Sequence, residues 1–223
     1  MILNKKIARF ILETKAFQLG PLFSSFGQKI FFDFDLRCLA SHPQALKEIG
    51  KELAKIIRNY SVDLIAGGET AGIFIATSTA LSLGKGMIYL RKSPKSHRFK
   101  KQIEGIFQKR DKIALVDDNI YLGRQKRKWV EILEKNDLKV KVIVTLLGSR
   151  EKNYPWMKKK RIAFHFLCDR GDLMAYLLKK KALPQEVYFF LQRVHQNFLL
   201  EVKKRKNWEK LKELKRRYRK YFS

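Results

Sequence analysis

Two adjacent carboxylates, Asp117 and Asp118, close an apolar run and are followed by a glycine in Ile113-Ala114-Leu115-Val116-Asp117-Asp118-Asn119-Ile120-Tyr121-Leu122-Gly123. Carboxylates at the end of a strand can accept hydrogen bonds from the vicinal hydroxyls of a sugar. Amides at the start of a following helix face a phosphate, and the helix dipole favours its charge. Taken alone, the pair would equally suit a metal site or a capping turn. A second segment, Ala66-Gly67-Gly68-Glu69-Thr70-Ala71-Gly72, has the small residues that let backbone amides approach a polyphosphate, with Thr70 as a side-chain donor; it could also be a plain strand-to-helix turn. A third, Arg91-Lys92-Ser93-Pro94-Lys95-Ser96-His97-Arg98-Phe99-Lys100-Lys101, packs six cations and a histidine into eleven residues. On a loop, that composition suits a lid that closes over a pyrophosphate and neutralises charge as it leaves. A run of charge is usually a solvated face, but this one falls between the two segments suited to phosphate.

The elements that must position these segments are readable from apolar periodicity. Residues 7–12 and 43–60 have helical spacing, and residues 30–34 form an aromatic, strand-like run after a turn signal at Leu19-Gly20-Pro21. Short apolar strands are expected at 62–66, 87–90, 112–116, 140–147 and 162–167. Helices are expected at 73–83, after Gly123 (carrying Trp129, Val130, Ile132 and Leu133), and from 170 to about 181. Strands alternating with helices give an α/β fold with a central, mostly parallel sheet flanked by helices, whose ligands sit at the carboxyl ends of the strands. The polar, cationic stretch 91–107 reads as a mobile loop or extended hairpin. Pro184 is placed to open a further helix, and apolar residues from Val187 to Tyr218 recur every three or four positions, as in an amphipathic helix or pair of helices. These boundaries divide the chain into a domain at 1–181, with its opening segment at about 1–40, and a basic helical extension at 182–223.

A chain of 223 residues with 45% hydrophobic content can bury a full core. Its apolar runs are too short for a membrane span, and two widely separated cysteines, Cys38 and Cys168, suggest neither a metal site nor a disulfide framework; a cytoplasmic protein is expected. The formal charge of +28 attracts phosphate-rich partners of any kind without choosing among them. Residues 179–223 hold fifteen Lys/Arg against four Asp/Glu, so a large part of the excess lies in the extension. Packing of that segment on the domain or on a second copy is favoured over a nucleic-acid-binding role.

The three segments, in this order, resemble orotate phosphoribosyltransferases. Arg91, Lys92, Lys95 and His97 fall on that family's Arg-Lys-x-x-Lys-x-His loop, which ends in a segment like Lys101-Gln102-Ile103-Glu104-Gly105. Ala16-Phe17-Gln18-Leu19-Gly20, and Gly27 through Asp35-Leu36-Arg37, resemble its opening hood, and the likeness runs from about 15 to 150. The resemblance implies the type I phosphoribosyltransferase fold with an N-terminal hood, and formation of orotidine 5′-phosphate and pyrophosphate from orotate and phosphoribosyl pyrophosphate in pyrimidine synthesis. It implies that Glu69, Thr70, Ala71 and Gly72 line a pyrophosphate loop. Asp117 and Asp118 would hold the ribose hydroxyls, directly or through Mg²⁺ carried by the diphosphate. Residues Tyr121, Leu122, Gly123, Arg124 and Gln125 would receive the 5′-phosphate, Arg150 would contact orotate and Phe34 would lie near the base. Lys95 and His97 would act from the loop, Lys95 in a neighbouring subunit's site, which implies a homodimer.

The sequence departs from that pattern at the 5′-phosphate loop. Tyr121 and Leu122 stand where small hydroxyl residues are usual, with Arg124 and Gln125 as substitute donors. The hood differs too, in Ser24-Ser25-Phe26-Gly27 and in Ile30-Phe31. Two further readings therefore stand beside the first: transfer to another base, and a nonenzymatic relative that binds nucleotides or RNA.

Overall fold

The computed structural model describes residues 2–23, 27–93, 101–150, 152–196 and 198–222. The expected catalytic residues Lys95 and His97, and hood residues Ser24, Ser25 and Phe26, lie outside them. The chain opens with helix α1 (Lys5–Glu13), whose first turn is capped by the Asn4 side chain accepting from the amides of Lys6 and Ile7. A two-stranded antiparallel hairpin follows, β1 (Phe17–Phe23) and β2 (Lys29–Phe34). The Leu19-Gly20-Pro21 signal proves to lie inside β1, where the register shifts between Leu19 and Leu22. A side chain at Gly20 would meet the carbonyls of Ile30 and Phe31 at 2.6 and 2.7 Å, so glycine here allows close strand approach and not a chain reversal.

A 3-10 turn (Leu36–Ser41) leads to α2 (Pro43–Ile57), which is followed by β3 (Leu64–Gly68), α3 (Ala71–Leu83), β4 (Gly86–Leu90) and a short β5 (Ile103–Glu104). Next come β6 (Lys112–Asn119), α4 (Arg124–Lys135), β7 (Lys139–Gly148), α5 (Pro155–Lys159), β8 (Ala163–Asp169) and α6 (Arg170–Lys179). The six-stranded sheet has the order β5-β4-β3-β6-β7-β8, parallel except for β5, which pairs antiparallel with β4. Alternate residues of β6 serve opposite layers. Ala114 and Val116 join a core with α1, α2 and α6, whereas Ile113 and Leu115 join one with Trp129, Val130 and Leu133 of α4.

Three helices follow, α7 (Gln185–Gln196), α8 (Phe198–Glu201) and α9 (Arg205–Arg217). Where one helix or a pair was expected, the apolar stripe bends back on itself, and Leu183, Val187, Leu191, Val194, Leu211 and Leu214 enter the core shared with α1 and the hairpin. Trp208 of α9 stacks on Phe31 of β2 with ring centroids 4.4 Å apart, and Phe190 and Phe198 present edges to the same ring at 5.9 and 6.1 Å. Lys215 donates to the carbonyl of Leu19 at 2.8 Å, and Glu186 of α7 pairs with Lys210 and Arg217 of α9 at 2.9 and 2.6 Å. Among the described residues no helix is long and apolar enough to cross a membrane.

Candidate active site

A cleft of about 700 Å³ opens at the carboxyl ends of β3 and β6. One wall is the loop Glu69–Thr70 with Ala71 at the start of α3. The floor is Asp117, Asp118 and the loop from Asn119 to Lys126, and the opposite wall is the hairpin, including Phe32, Asp33 and Phe34. Val194, His195 and Phe198 of the C-terminal helices complete the enclosure, so residues well beyond the expected domain border the same space.

Two helix N-termini meet at this cleft. Thr70 begins α3 and Gly123 begins α4, and at neither does a side chain cap the first-turn amides. Asn4, His42 and Asp169 cap α1, α2 and α6 with their side chains, whereas α5 and α9, like α3 and α4, have no side-chain cap, but neither of those two helices starts at the cleft. Uncapped amides and the positive end of the dipole suit each N-terminus to an anion. The glycines have steric reasons. A β-carbon on Gly72 would stand 2.8 Å from Asp117 Oδ1, and Gly123 has φ +73°, a left-handed conformation, with its α-carbon facing the Tyr154 ring. Glu69 is held by the amide of Lys92, which donates to its carboxylate at 2.8 Å.

The two aspartates differ. Asp117 is buried, and its Oδ2 lies 2.6 Å from Nζ of Lys126, which is equally buried in the first turn of α4. A cation there opposes the helix dipole and is accommodated by the carboxylate it meets. Asp118 makes no such pair; it accepts from the amide of Asn119 at 2.6 Å, and burial, then the neighbouring Asp117 charge, push its carboxyl up to about 7. The uncommitted carboxyl group of the pair is thus Asp118.

Glu69, Thr70, Ala71, Lys92, Asp117, Asp118, Tyr121 to Gln125 and Phe34 all line the cleft, with Gly72 directly behind Asp117. Arg91 does not: its guanidinium approaches Glu104 of β5 at 3.8 Å. Arg150 is also elsewhere. It is bound to Asp169 at 3.5 Å and to Asp172, and it does not line the cleft. The Tyr121 ring, whose bulk departs from the phosphate-loop pattern, packs against Phe198 at 5.9 Å and His195 at 6.1 Å, and its carbonyl accepts from the Tyr154 hydroxyl at 2.9 Å. Lys126, Arg170 and His195 are lining residues that the motifs did not single out. Lys126 had a signal, since it lies three and four residues before Trp129 and Val130 on the buried face of α4. Arg170 had one too, standing where β8 ends and α6 begins.

Such a cleft can hold a molecule with phosphate groups at both ends of a hydroxyl-bearing ring. No family model matches the chain. Over 148 residues it is 28% identical to the orotate phosphoribosyltransferase of Thermococcus kodakarensis, a match covering 66% of this chain and 80% of that one. The chain is a relative of the orotate phosphoribosyltransferases. Its fold is that of the type I phosphoribosyltransferases. The structure of Leishmania donovani UMP synthase superposes with a TM-score of 0.73 at 24% identity, covering 84% of this chain and 42% of that one. Orotate phosphoribosyltransferase from Aeropyrum pernix superposes with a TM-score of 0.63 at 22% identity, covering 77% and 97%. The 84% and 77% coverages exceed the stretch of about 15 to 150 over which the sequence alone suggested the relationship.

Proposed function

We propose that the protein transfers a phosphoribosyl group from phosphoribosyl pyrophosphate to orotate, releasing orotidine 5′-phosphate and pyrophosphate. The observation that carries this reading is the pair of uncapped helix N-termini, α3 and α4, on either side of Asp118 in one cleft. The amides around Thr70, Ala71 and Gly72 would hold the pyrophosphate. Those around Gly123 would hold the 5′-phosphate, with Arg124 and Gln125 as side-chain donors. Asp118 would accept from the ribose hydroxyls, while Asp117, tied to Lys126, would shape the floor beneath them. Lys92, with Lys95 and His97 from the loop beyond it, would offset the charge of the departing pyrophosphate, and Lys95 would do so in a neighbouring subunit of a homodimer.

In the reaction a ring nitrogen of orotate bonds to the anomeric carbon as the carbon–oxygen bond to pyrophosphate breaks. The pyrophosphate leaves with the electron pair, and the nitrogen's proton passes to solvent. No covalent nucleophile is needed; fixed charges and positioning lower the barrier. Oxygen donors such as Asp118 and Glu69 suit Mg²⁺, which would enter on the diphosphate. When bound, Mg²⁺ would neutralise charge building on the leaving group. Two cysteines held as free thiols, Cys38 and Cys168, agree with a reducing cytoplasm.

The test is loss of orotate absorbance in a mixture of protein, orotate, phosphoribosyl pyrophosphate and Mg²⁺, with Lys95→Ala alongside. Turnover that falls sharply in the variant supports the reading; folded protein that leaves orotate unchanged rejects it. Because the base side of the cleft is so aromatic, with Phe32, Phe34 and Phe198, adenine and other bases belong in the same assay.

A further inference from the structure

We infer that Arg170 is the anchor for a carboxylate on the incoming base, a cation in the cleft beside the orotate contact that sequence likeness assigns to Arg150. The inference rests on the proposed transfer to orotate and names the group that recognises its carboxylate.

Arg170 is the first residue of α6, at the carboxyl end of β8, and it is 6% exposed while lining the cleft. Its guanidinium lies between the hood and the phosphate loop, 5.7 Å from the ring centroid of Phe34 and 5.8 Å from that of Tyr121. Among the described residues its ion pair is a long one, 3.7 Å to Asp33 of β2, whose own side chain is 44% exposed. Its Nε is buried and has no hydrogen-bond partner there. A buried guanidinium with an unused N–H carries a desolvation cost that an incoming acceptor would remove. The planar fork matches a carboxylate through two parallel hydrogen bonds, and the half-buried ring of Phe32, which lines the cleft on the same strand as Phe34, offers an aromatic surface to a flat ring. Arg150 offers none of this: it is 46% exposed on its side chain and already paired with Asp169 and Asp172. The ligand class is therefore a planar heterocycle bearing a carboxylate, with the ring against Phe32 and the carboxylate on Arg170. A phosphate could use the same cation, and the kinetics separate the two sources.

The experiment compares wild type, Arg170→Gln, Arg170→Lys and Arg150→Gln, each checked for folding by its melting temperature. Steady-state rates are measured with orotate, with uracil, which lacks the carboxylate, and with phosphoribosyl pyrophosphate varied separately. The expected result for Arg170→Gln is a KM for orotate raised about 10- to 100-fold, a lost preference for orotate over uracil, and a KM for phosphoribosyl pyrophosphate little changed. Arg170→Lys keeps the charge without the fork and should fall between. The inference is overturned if folded Arg170 variants keep the orotate preference, if the loss appears in the KM for phosphoribosyl pyrophosphate, or if it falls on Arg150→Gln. Equilibrium binding of orotate to wild type, in the presence of Mg²⁺ and pyrophosphate, tests the underlying reading separately. Wild type that neither binds nor converts orotate rejects that reading and this inference with it.

Discussion

Lys126 and Asp117 form a buried ion pair across the turn from β6 to α4, Nζ to Oδ2 2.6 Å, with both side chains 8% exposed. The pair sits under the cleft, so an error in either partner reaches the floor of the site.

Removing one partner leaves an uncompensated buried charge, which costs about 3–5 kcal/mol. Lys126→Met and Asp117→Asn are each expected to lower stability by that order in chemical denaturation, and the double variant by less than the sum of the two. Additive losses would mean that the two groups do not depend on each other.

Trp208 and Phe31 join the last long helix to the hood. Their stacking contributes about 1 kcal/mol beyond the area they bury. Trp208→Ala is expected to lower the melting temperature and to raise the KM for the base several-fold, because β2 carries both Phe31 and the cleft residue Phe34. A variant with reduced stability and unaltered KM would confine the helix to a structural role.

Tyr60 and His165 are 2.5 Å apart, hydroxyl to Nε2, and burial holds the imidazole below its ordinary value of 6.5. The unfolded chain therefore takes up a proton first as the pH falls. Stability from this group is complete above about pH 6.5 and declines as pH drops through the lower folded value. His165→Gln should flatten that part of the profile of melting temperature between pH 8 and 5. Curves for variant and wild type that stay parallel would refute the assignment.

The two thiols should differ in reactivity. Burial pushes Cys168 up to about 12, and its sulfur faces the carbonyl of Asn4 at 3.6 Å, whereas Cys38 is half-buried. At pH 8 iodoacetamide is expected to label Cys38 in the native protein and Cys168 only after denaturation, as read by peptide mass. Equal native labelling would be incompatible with the packing of β8 against α1.

The parallel strands were legible because buried runs such as Ile113 to Val116 can hardly be anything else between turn signals. The two loops that border the cleft were legible through their glycines and adjacent polar residues, although each segment alone also suited a plain turn. β1 was hidden by Gly20-Pro21, a turn signal in local chemistry that tertiary pairing overrides. Lys126 and Arg170 were hidden for another reason: a lone cation in a chain with 49 Lys and Arg looks like surface, and burial alone distinguishes it. The stacking of Trp208 on Phe31 joins positions 177 residues apart (208 − 31), a distance over which periodicity carries no information.

That separation has a consequence for how the protein comes into being on the ribosome. The hairpin emerges early, but the helix that clamps it through Trp208 and Lys215 is synthesised after the whole sheet. Closing so long a loop is slow and is rewarded only when both ends are present. The sheet with its two uncapped helix N-termini can be complete in a nascent chain whose hairpin side still stands open, so the carboxyl-end floor of the cleft is built before the wall that encloses it.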